Sequence, residues 1–505
     1  MAEFLENLNF EPRLTIRYNV MLSLSKHDSS HHAKIMLRQA QHDNEVFYFP
    51  KKMPKNLPKN LLLKYDKQLP RYTSYPTAPH FSADVNHEIY SSWLQKLAPQ
   101  KTLSLYFHIP FCQQLCWYCG CYTKITKRYE PVEDYTEILL QEIRLVSDLL
   151  RKKNHKVSHI HFGGGSPTIL APDSFENLMR VIKNEFAIAE NAEIAIEVDP
   201  RNVDEEKISA YAKCGVNRVS IGVQDFNREV QIAVNREQSF ELVHSCVKLF
   251  KKYGIKNVNL DLIYGLPKQT VAGIKKNIDL AMLLNPNRIA LFAYAHVQWM
   301  KKHMRLIDEK DLPDGASRIE MYRKAAQKLK LNGYVAIGID HFAKPSDSMV
   351  AAFQNKKLKR NFQGYSSDKA DSVIGFGASA ISFLPDGYAQ NILDFAEYKK
   401  NILAKKLPVL KGIKISKEDR LRKKIIDEVM CYLEVDLAQI CEKFNLSENY
   451  FENEIKNLED LKKDGLISIQ NGVVKINPKV PQITRIVCSI FDKFFSADQK
   501  KHSRI

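Results

Sequence analysis

The stretch TLSLYFHIPFCQQLCWYCGC (102–121) joins a short β-rich run, TLSLYFH (102–108), to a loop that is dense in cysteine. The cysteines are Cys112, Cys116, Cys119 and Cys121, with aromatic residues between them. Two disulfides, a zinc knuckle and an iron–sulfur cluster would each use closely spaced sulfurs. The rest of the chain has to decide among these chemistries.

Five further β-rich runs follow the first one along the chain. They are VSHIHF (157–162), EIAIEV (193–198), RVSIGV (218–223), VNLDLI (258–263) and RIALFAY (288–294). The longer segments between them carry apolar residues every three or four positions, which is typical of amphipathic helices. This alternation predicts β/α units and a parallel sheet. Six units are too few for a closed eight-fold barrel, so we predict an α/β fold with an open (β/α)6, partial TIM-like barrel over residues 101–345.

Polar residues and glycines lie at or just after the carboxyl end of every predicted strand. After the cysteine loop they are GGGSPT (163–168), then Glu197 and Asp199, Gln224 and Asp225, Asp261, and finally Ala295 and His296. In a β/α barrel these strand ends meet on one rim, where the chemistry is located. After a single strand such residues would be ordinary turn chemistry. Their recurrence after six strands predicts a shared site.

Length and composition are those of a globular protein with two or three domains. The chain has 505 residues, of which 44% are hydrophobic and 10% aromatic, enough for a large core. No apolar run approaches the roughly 20 residues that span a bilayer, and no secretion signal is evident. We therefore expect a soluble, cytoplasmic protein without membrane insertion. The net charge of +17 fits nucleic acid, an acidic membrane surface, a multiply anionic small substrate or a lysine-rich proteome.

Three segments flank the predicted barrel. Residues 1–56 are polar and follow neither a helical nor a strand period, so we expect a poorly ordered extension. Residues 57–100 are predicted to form a lead-in segment that packs on the barrel. Residues 346–505 are predicted to form a mainly helical C-terminal domain.

The end of that domain resembles a winged helix. Helical stretches precede LISIQNGVVKI (466–476), in which Asn471 and Gly472 predict a type I′ hairpin turn. The segment in the place of a recognition helix, SENYFENEIKNLEDL (447–461), is rich in acidic residues. Such a face would repel phosphates, so we predict a structural role and no nucleic-acid binding.

The C-x3-C-x2-C spacing of Cys112, Cys116 and Cys119 favours an iron–sulfur cluster. Three cysteines on one loop can ligate three corners of a cubic [4Fe–4S] cluster, which leaves the fourth iron open to a substrate. Structural zinc sites use four ligands, usually in two separated pairs. A large intracellular chain keeps its thiols reduced, which disfavours disulfides.

This spacing after the first strand of a six-unit barrel, with a glycine-rich turn after the second, resembles the radical S-adenosylmethionine enzymes. Further motifs narrow the resemblance to the oxygen-independent coproporphyrinogen III oxidases, or dehydrogenases, and they span about residues 64–505. The motifs are PRYTSYPTA (70–78), HIPFC (108–112), HFGGGSPT (161–168), IEVDPR (196–201), GVQDFN (222–227), VNREQ (234–238), DLIYGLPKQT (261–270), YAH (294–296), DHFAKP (340–345), RNFQGY (360–365) and ASAIS (378–382).

The resemblance implies conversion of two propionate side chains of coproporphyrinogen III into vinyl groups, giving protoporphyrinogen IX. An electron from the cluster would cleave S-adenosylmethionine to a 5′-deoxyadenosyl radical, which abstracts hydrogen from the propionate β-carbon before CO2 and an electron leave. Two decarboxylations imply two molecules of S-adenosylmethionine, bound side by side. The resemblance also implies a reducing electron donor, such as flavodoxin or ferredoxin, and a monomer.

The resemblance also assigns roles to residues by motif. The implied cluster ligands are Cys112, Cys116 and Cys119, whereas Cys121 would lie near the cluster without ligating it. The implied contacts to the first S-adenosylmethionine are Tyr106, Gly164, Glu197 and Ile381. The implied contacts to the second are Tyr118, Gly165, Ser166, Gln224, Arg236, Asp261 and Ala295. The predicted catalytic set consists of Tyr106, Glu197, Phe362, Gln363 and Ile381.

The main alternative is a haem-trafficking chaperone on the same radical S-adenosylmethionine scaffold. Such relatives usually lack the fourth cysteine and the PRYTSYPTA segment. This chain has both Cys121 and residues 70–78, which favours the enzyme.

Overall fold

The computed structural model describes residues 64–65, 68–150, 155–495 and 503–504. The extension predicted for residues 1–56 lies outside this range. Across the described part of the chain, no helix combines the length and the apolar character that crossing a membrane requires.

The lead-in and the barrel contain the following elements in chain order. They are β1 (Gln68–Leu69), α1 (His87–Gln95), β2 (Leu103–Ile109), β3 (Phe111–Cys112), β4 (Lys124–Ile125), α2 (Glu130–Leu149), β5 (Lys156–Gly164), α3 (Pro172–Glu185), β6 (Ala187–Val198), α4 (Glu205–Cys214), β7 (Arg218–Gln224), α5 (Arg228–Ala233), α6 (Phe240–Lys252), β8 (Asn257–Tyr264), α7 (Val271–Leu283), β9 (Arg288–Ala293), α8 (Gly315–Leu331), β10 (Val335–Ile337) and β11 (His341–Ala343).

The remainder of the chain mixes strands and helices. Its elements are α9 (Ser348–Gln354), β12 (Lys359–Asn361), β13 (Gly364–Ser366), β14 (Ser372–Phe376), β15 (Ile381–Leu384), β16 (Gly387–Asn391), α10 (Phe395–Leu403), β17 (Val409–Lys414), α11 (Lys417–Tyr432), β18 (Glu434–Asp436), α12 (Leu437–Lys443), α13 (Glu452–Asn457), α14 (Glu459–Lys463), β19 (Ile467–Gln470), β20 (Val473–Ile476), α15 (Thr484–Phe491) and β21 (Ser503–Arg504).

The six predicted runs form six adjacent parallel strands. β2, β5, β6, β7, β8 and β9 lie side by side in this order, and each pairs in parallel with the next. Their apolar residues form one core with the helices that connect them, as expected for strands that are covered on both faces. The predicted open (β/α)6 barrel is confirmed.

The sheet continues past residue 345, where we predict the barrel to end. β14 pairs in parallel with β2, and β15, β16 and β17 extend the sheet from there in antiparallel order. On the opposite edge β11 and β10 add to β9. The strands from 372 to 414 therefore belong to the barrel sheet, because an open barrel leaves the edge of β2 with unpaired backbone groups that β14 satisfies.

The C-terminal region is mainly helical from α11 onward and ends in a small winged-helix-like unit. β18, β20 and β19 form its three-stranded sheet. Asn471 and Gly472 have φ angles of 50° and 78° between β19 and β20, which confirms the predicted type I′ turn. The acidic segment predicted as one helix is divided into α13 and α14.

The lead-in contributes to two different cores. Val85, Tyr90 and Trp93 pack in the barrel core, as we predict for this segment. Tyr65, Leu69, Tyr72 and Tyr75 instead pack among the C-terminal helices. These tyrosines bury their rings while their hydroxyls keep polar partners, as Tyr72 does by donating to Asp492 at 3.1 Å. The lead-in thus joins the barrel to the C-terminal helices.

Candidate active site

Two adjoining cavities open where the barrel strands end. The barrel cavity, of about 770 Å³, extends from the cysteine loop into the barrel. The hairpin cavity, of about 820 Å³, lies beside the β12–β13 hairpin. Their shared wall includes Cys121, Gly164, Glu197, Phe362 and Gln363. The molecule therefore offers two neighbouring binding spaces around one loop.

Every residue that the sequence assigned to the site lines one or both of these cavities. Tyr106, Gly164, Glu197 and Ile381 line the hairpin cavity. Tyr118, Gly165, Ser166, Gln224, Arg236, Asp261 and Ala295 line the barrel cavity, together with Cys112, Cys116 and Cys119. The second set thus lies in the barrel cavity, whereas the first set lies in the hairpin cavity and on the wall that the two cavities share, which also includes Phe362 and Gln363.

Two other rim residues do not join the site. Asp225 is buried and accepts hydrogen bonds at 2.6 Å from the side chains of Gln269 and Asn277. His296 bonds to the hydroxyl of Tyr294 at 2.7 Å. Neither residue is among those lining the two cavities. The polar side chains at these two positions therefore make local structural hydrogen bonds.

The sulfur atoms of the cysteine loop have polar partners. Arg236 and Arg201 approach the Cys116 sulfur at 3.5 and 3.6 Å, and the Thr123 hydroxyl donates to the Cys112 sulfur at 3.3 Å. A hydrogen bond from Cys121 lowers the pKa of Cys119 to about 6. Positive charge and donated hydrogen bonds favour the thiolate, which is the form that binds metal.

The donor set fits an iron–sulfur cluster. Burial raises the pKa of Cys112 to about 11, but a thiol that coordinates a metal is deprotonated by that metal. Within the described residues, no group of three or more His, Cys, Asp or Glu side chains is arranged to hold a single metal ion. Closely spaced cysteine thiolates on one loop are the ligands that hold iron–sulfur clusters.

Glu197 is held at the shared wall by two donors. Its Oε1 accepts a hydrogen bond from His161 Nε2 at 3.1 Å, and its Oε2 accepts one from the Gly164 amide at 3.3 Å. Gly164 has φ of +121°, and a Cβ there would lie 2.9 Å from the His108 ring. Only glycine therefore lets the backbone amide point at the carboxylate. The ring of His161 in turn stacks on Tyr106, with centroids 5.9 Å apart.

Arg236 connects the cysteine loop to the ends of β6 and β7. Its guanidinium contacts Asp199 Oδ2 at 3.1 Å and donates to the Gly222 carbonyl at 2.6 Å. Burial raises the pKa of Asp199, but Arg236 and Arg201 outweigh it and hold the pKa at about 2. Gln224, two residues beyond Gly222, has φ of 65°. Such a conformation is unusual for a residue with a side chain and is typical of functional sites.

Asp261 is a second carboxylate in the barrel cavity. Ser220 Oγ and Asn259 Nδ2 each donate to it at 2.8 Å. Burial nevertheless raises the pKa of Asp261 to about 6, with a smaller contribution from the charge of Glu197. A positively charged ligand beside Asp261 would favour the ionised carboxylate and lower this pKa again.

Comparison with known proteins identifies the group to which this site belongs. Residues 106–281 match the model of the radical SAM superfamily. The oxygen-independent coproporphyrinogen III oxidase of Bradyrhizobium diazoefficiens is 43% identical over 439 residues, which cover 87% of this chain and 97% of that protein. This chain belongs to the oxygen-independent coproporphyrinogen III oxidase family. The family member from Escherichia coli is 36% identical over 450 residues, which cover 97% of its length.

A solved structure supports the same membership. Coproporphyrinogen III oxidase from Escherichia coli, described as a radical SAM enzyme, matches with a TM-score of 0.81 and 35% identity. The match covers 86% of this chain and 99% of that chain. Membership of the oxygen-independent coproporphyrinogen III oxidase family implies a [4Fe–4S] cluster and S-adenosylmethionine as cofactors.

In this family member, sequence reasoning missed several charged residues of the barrel cavity. Arg218 and Arg288 begin β7 and β9, are buried, and contact Glu193 and Asp347 at 2.8 and 2.7 Å. The sequence signal that could have revealed these two arginines is their position as the first residue of a mainly apolar strand. Six basic side chains line this cavity against four acidic ones; the basic ones are Arg71, Arg201, Arg218, Arg236, Arg288 and Lys301.

Proposed function

We propose that this chain catalyses the oxygen-independent oxidative decarboxylation of coproporphyrinogen III to protoporphyrinogen IX. The observation that carries this proposal is the pair of cavities that meet at the cysteine loop. This reaction needs space beside the cluster for two molecules of S-adenosylmethionine and for a large substrate. The family membership supplies the substrate, and the excess of basic side chains in the barrel cavity suits its four carboxylates.

We assign the cluster to Cys112, Cys116 and Cys119, with Cys121 beside it as a thiol that is not a ligand. Thr123, Arg201 and Arg236 would stabilise the sulfurs through the contacts described above. When bound, the cluster and S-adenosylmethionine supply the electron and the 5′-deoxyadenosyl radical that removes a propionate β-hydrogen.

We assign two S-adenosylmethionine molecules to the two cavities. At the first site, His161 and the Gly164 amide orient Glu197, so that its remaining lone pairs can accept from a bound ligand. At the second site, Arg236 offers a cation and Asp261 an anion, as an amino acid moiety requires. Two decarboxylations per substrate are the chemical reason for two molecules.

Phe362 and Gln363 lie in the turn between β12 and β13 and form part of the wall between the two cavities. Phe362 is held edge-on against Tyr388 at 6.2 Å. We propose that this hairpin keeps water from the reacting carbon and holds the substrate against the first site. The lead-in and the C-terminal helices would complete the substrate space, because residues of PRYTSYPTA line the barrel cavity.

We further propose that the protein works as a cytoplasmic monomer and takes electrons from a carrier such as flavodoxin or ferredoxin. No disulfide joins any of the nine cysteines, all of which lie in the described part of the chain, and cysteines without disulfides are typical of a reducing compartment.

Anaerobic turnover tests the function. The protein is reconstituted with iron and sulfide and incubated with coproporphyrinogen III, S-adenosylmethionine and a reductant. We expect protoporphyrinogen IX with two CO2 and two 5′-deoxyadenosine per substrate consumed, and no product from Cys116→Ser. Haem binding and release without any decarboxylation would instead identify the chaperone and reject the enzyme.

A further inference from the structure

The lead-in supplies one wall of the barrel cavity, and Arg71 projects from it. Residues 69–74 and 77–79 line this cavity. Arg71 lines the interior of the cavity, where protein surrounds its side chain and solvent still reaches it. Among the described residues, no hydrogen bond or ion pair joins this guanidinium to another side chain. An arginine that lines a cavity without a partner is available to an anionic ligand.

The surroundings of Arg71 are already positive. Burial, and after it the charge of Arg360, lowers the pKa of Arg71. Burial and Arg71 likewise lower the pKa of Arg485 to about 10. The acidic residue in this group is Asp340, which is bonded to His341 at 2.6 Å and lies 3.9 Å from Arg360. Asp340 is thus the carboxylate that offsets the charges of Arg71 and Arg360.

Neighbouring positive charges repel one another, and an anion that binds between them or beside them relieves this repulsion. Arg360 is fixed in place by the ring of Tyr365, with the guanidinium 4.5 Å from the ring centroid. Arg485 is directed at the lead-in backbone, toward the carbonyl of Leu69 at 3.4 Å. Arg71 is therefore the member of the group that is free to meet a ligand in the cavity.

We propose that Arg71 binds a propionate carboxylate of the substrate, and that this propionate is one that remains in the product. The proposal rests on the function proposed above. A carboxylate paired with arginine would lose that pairing on becoming neutral CO2, so the pairing raises the barrier to its own decarboxylation. Arg71 thus orients the ring so that an unpaired propionate faces the reacting centre.

Binding of the oxidised porphyrin tests this inference independently of catalysis. Coproporphyrin III and its tetramethyl ester are titrated into the reconstituted protein and into Arg71→Ala, Arg71→Lys and Arg228→Ala. Arg228 is a matched control because its side chain is 83% exposed and does not line either cavity. Loss of a charge-assisted pair should weaken coproporphyrin binding by about ten-fold or more in Arg71→Ala. Binding of the ester should stay unchanged.

Kinetics separate an anchoring role from a structural one. Arg71→Ala should raise KM for coproporphyrinogen III while cluster content and cleavage of S-adenosylmethionine without substrate remain normal. Arg71→Lys should recover part of the affinity. Because the charge removed is repelled by its neighbours, the melting temperature without substrate should be unchanged or higher. Equal affinity of wild type and Arg71→Ala for coproporphyrin would refute the inference, whereas absent turnover by wild type would refute the proposed function alone.

Discussion

Asp261 provides a titration near neutral pH inside the barrel cavity. Its pKa is about 6 in the protein without ligand, because burial raises it. If this carboxylate meets the cation of the second S-adenosylmethionine, binding should weaken as pH falls from 7 to 5 and the carboxylate takes up a proton. Equilibrium binding under anaerobic conditions measures this dependence. Asp261→Asn should bind that molecule weakly at every pH, and a pH dependence retained in the variant would contradict the assignment.

The cysteine loop gives a second prediction at the scale of single residues. Replacing Cys112, Cys116 or Cys119 by serine should abolish the reconstituted cluster, whereas Cys121→Ser should retain about four irons and four sulfides, the content of one cluster. Cys121 is the exposed member of the set, and its sulfur interacts with Cys119. Iron and sulfide analysis with absorption spectra provides the measurement. Complete loss of the cluster in Cys121→Ser would overturn the three-ligand assignment.

Single residues differ in how far the sequence reveals them. The cysteines, Gly164 and Glu197 lie at or just after strand ends in recognisable motifs, and the structure brings them to one rim. His161 escaped notice because its partner Glu197 lies 36 positions away, and nothing local marks a histidine within a strand as a donor. Arg71 escaped because its surroundings come from Asp340, Arg360 and Arg485, which are distant along the chain.

At the scale of elements, α2 holds the turn between β14 and β15. Glu142 on α2 accepts hydrogen bonds at 2.7 Å from the Gly377 amide, the Asn391 side chain and the Tyr398 hydroxyl. This turn leads into Ile381, which lines the hairpin cavity. Burial raises the pKa of Glu142 to about 7 despite these donors. The turn therefore depends on a carboxyl group that titrates near neutral pH.

Glu142 should give the stability of the protein a pH dependence. Because its pKa is raised in the folded state, the folded protein binds the proton more tightly than the unfolded chain does. The contribution of Glu142 should be greatest below about pH 4.5 and should decline as pH rises through about 7. Melting temperatures of wild type and Glu142→Gln, compared from pH 5 to 8, test this. Parallel curves for the two proteins would show that Glu142 does not titrate in this range.

The elements themselves were predictable to different degrees. The six barrel strands follow from apolar runs separated by amphipathic helices, a pattern that is local. The place of β14 to β17 in the sheet could not be predicted from the local sequence, because it depends on the free edge of β2 some 270 residues earlier. The hairpin at Asn471 and Gly472 was predictable because its signal is contained in two adjacent residues.

At the scale of the whole molecule, buried tyrosines fasten the lead-in to the C-terminal helices. Tyr72→Phe removes a buried hydroxyl that donates to Asp492, which should destabilise the protein by about 1–3 kcal/mol because a buried hydrogen bond to a carboxylate is lost. It should also raise KM for coproporphyrinogen III, since Arg71 is the adjacent residue. Tyr253→Phe, whose hydroxyl bonds at the exposed surface, is the matched control. Urea unfolding measures the stability and steady-state kinetics measure KM. An unaltered KM in Tyr72→Phe would show that the contact between the lead-in and the C-terminal helices does not affect substrate binding.

The fastening of the lead-in also dictates an order of assembly. Tyr65 and Tyr72 find their partners 399 and 420 residues later, so most of the chain has to be synthesised before the lead-in can dock. Cys116, in contrast, meets Arg201 and Arg236 only 85 and 120 residues later. The cysteine loop is therefore complete while one wall of the barrel cavity is still missing. During synthesis, iron and sulfide can therefore reach the cysteine loop before the lead-in covers this side of the cavity.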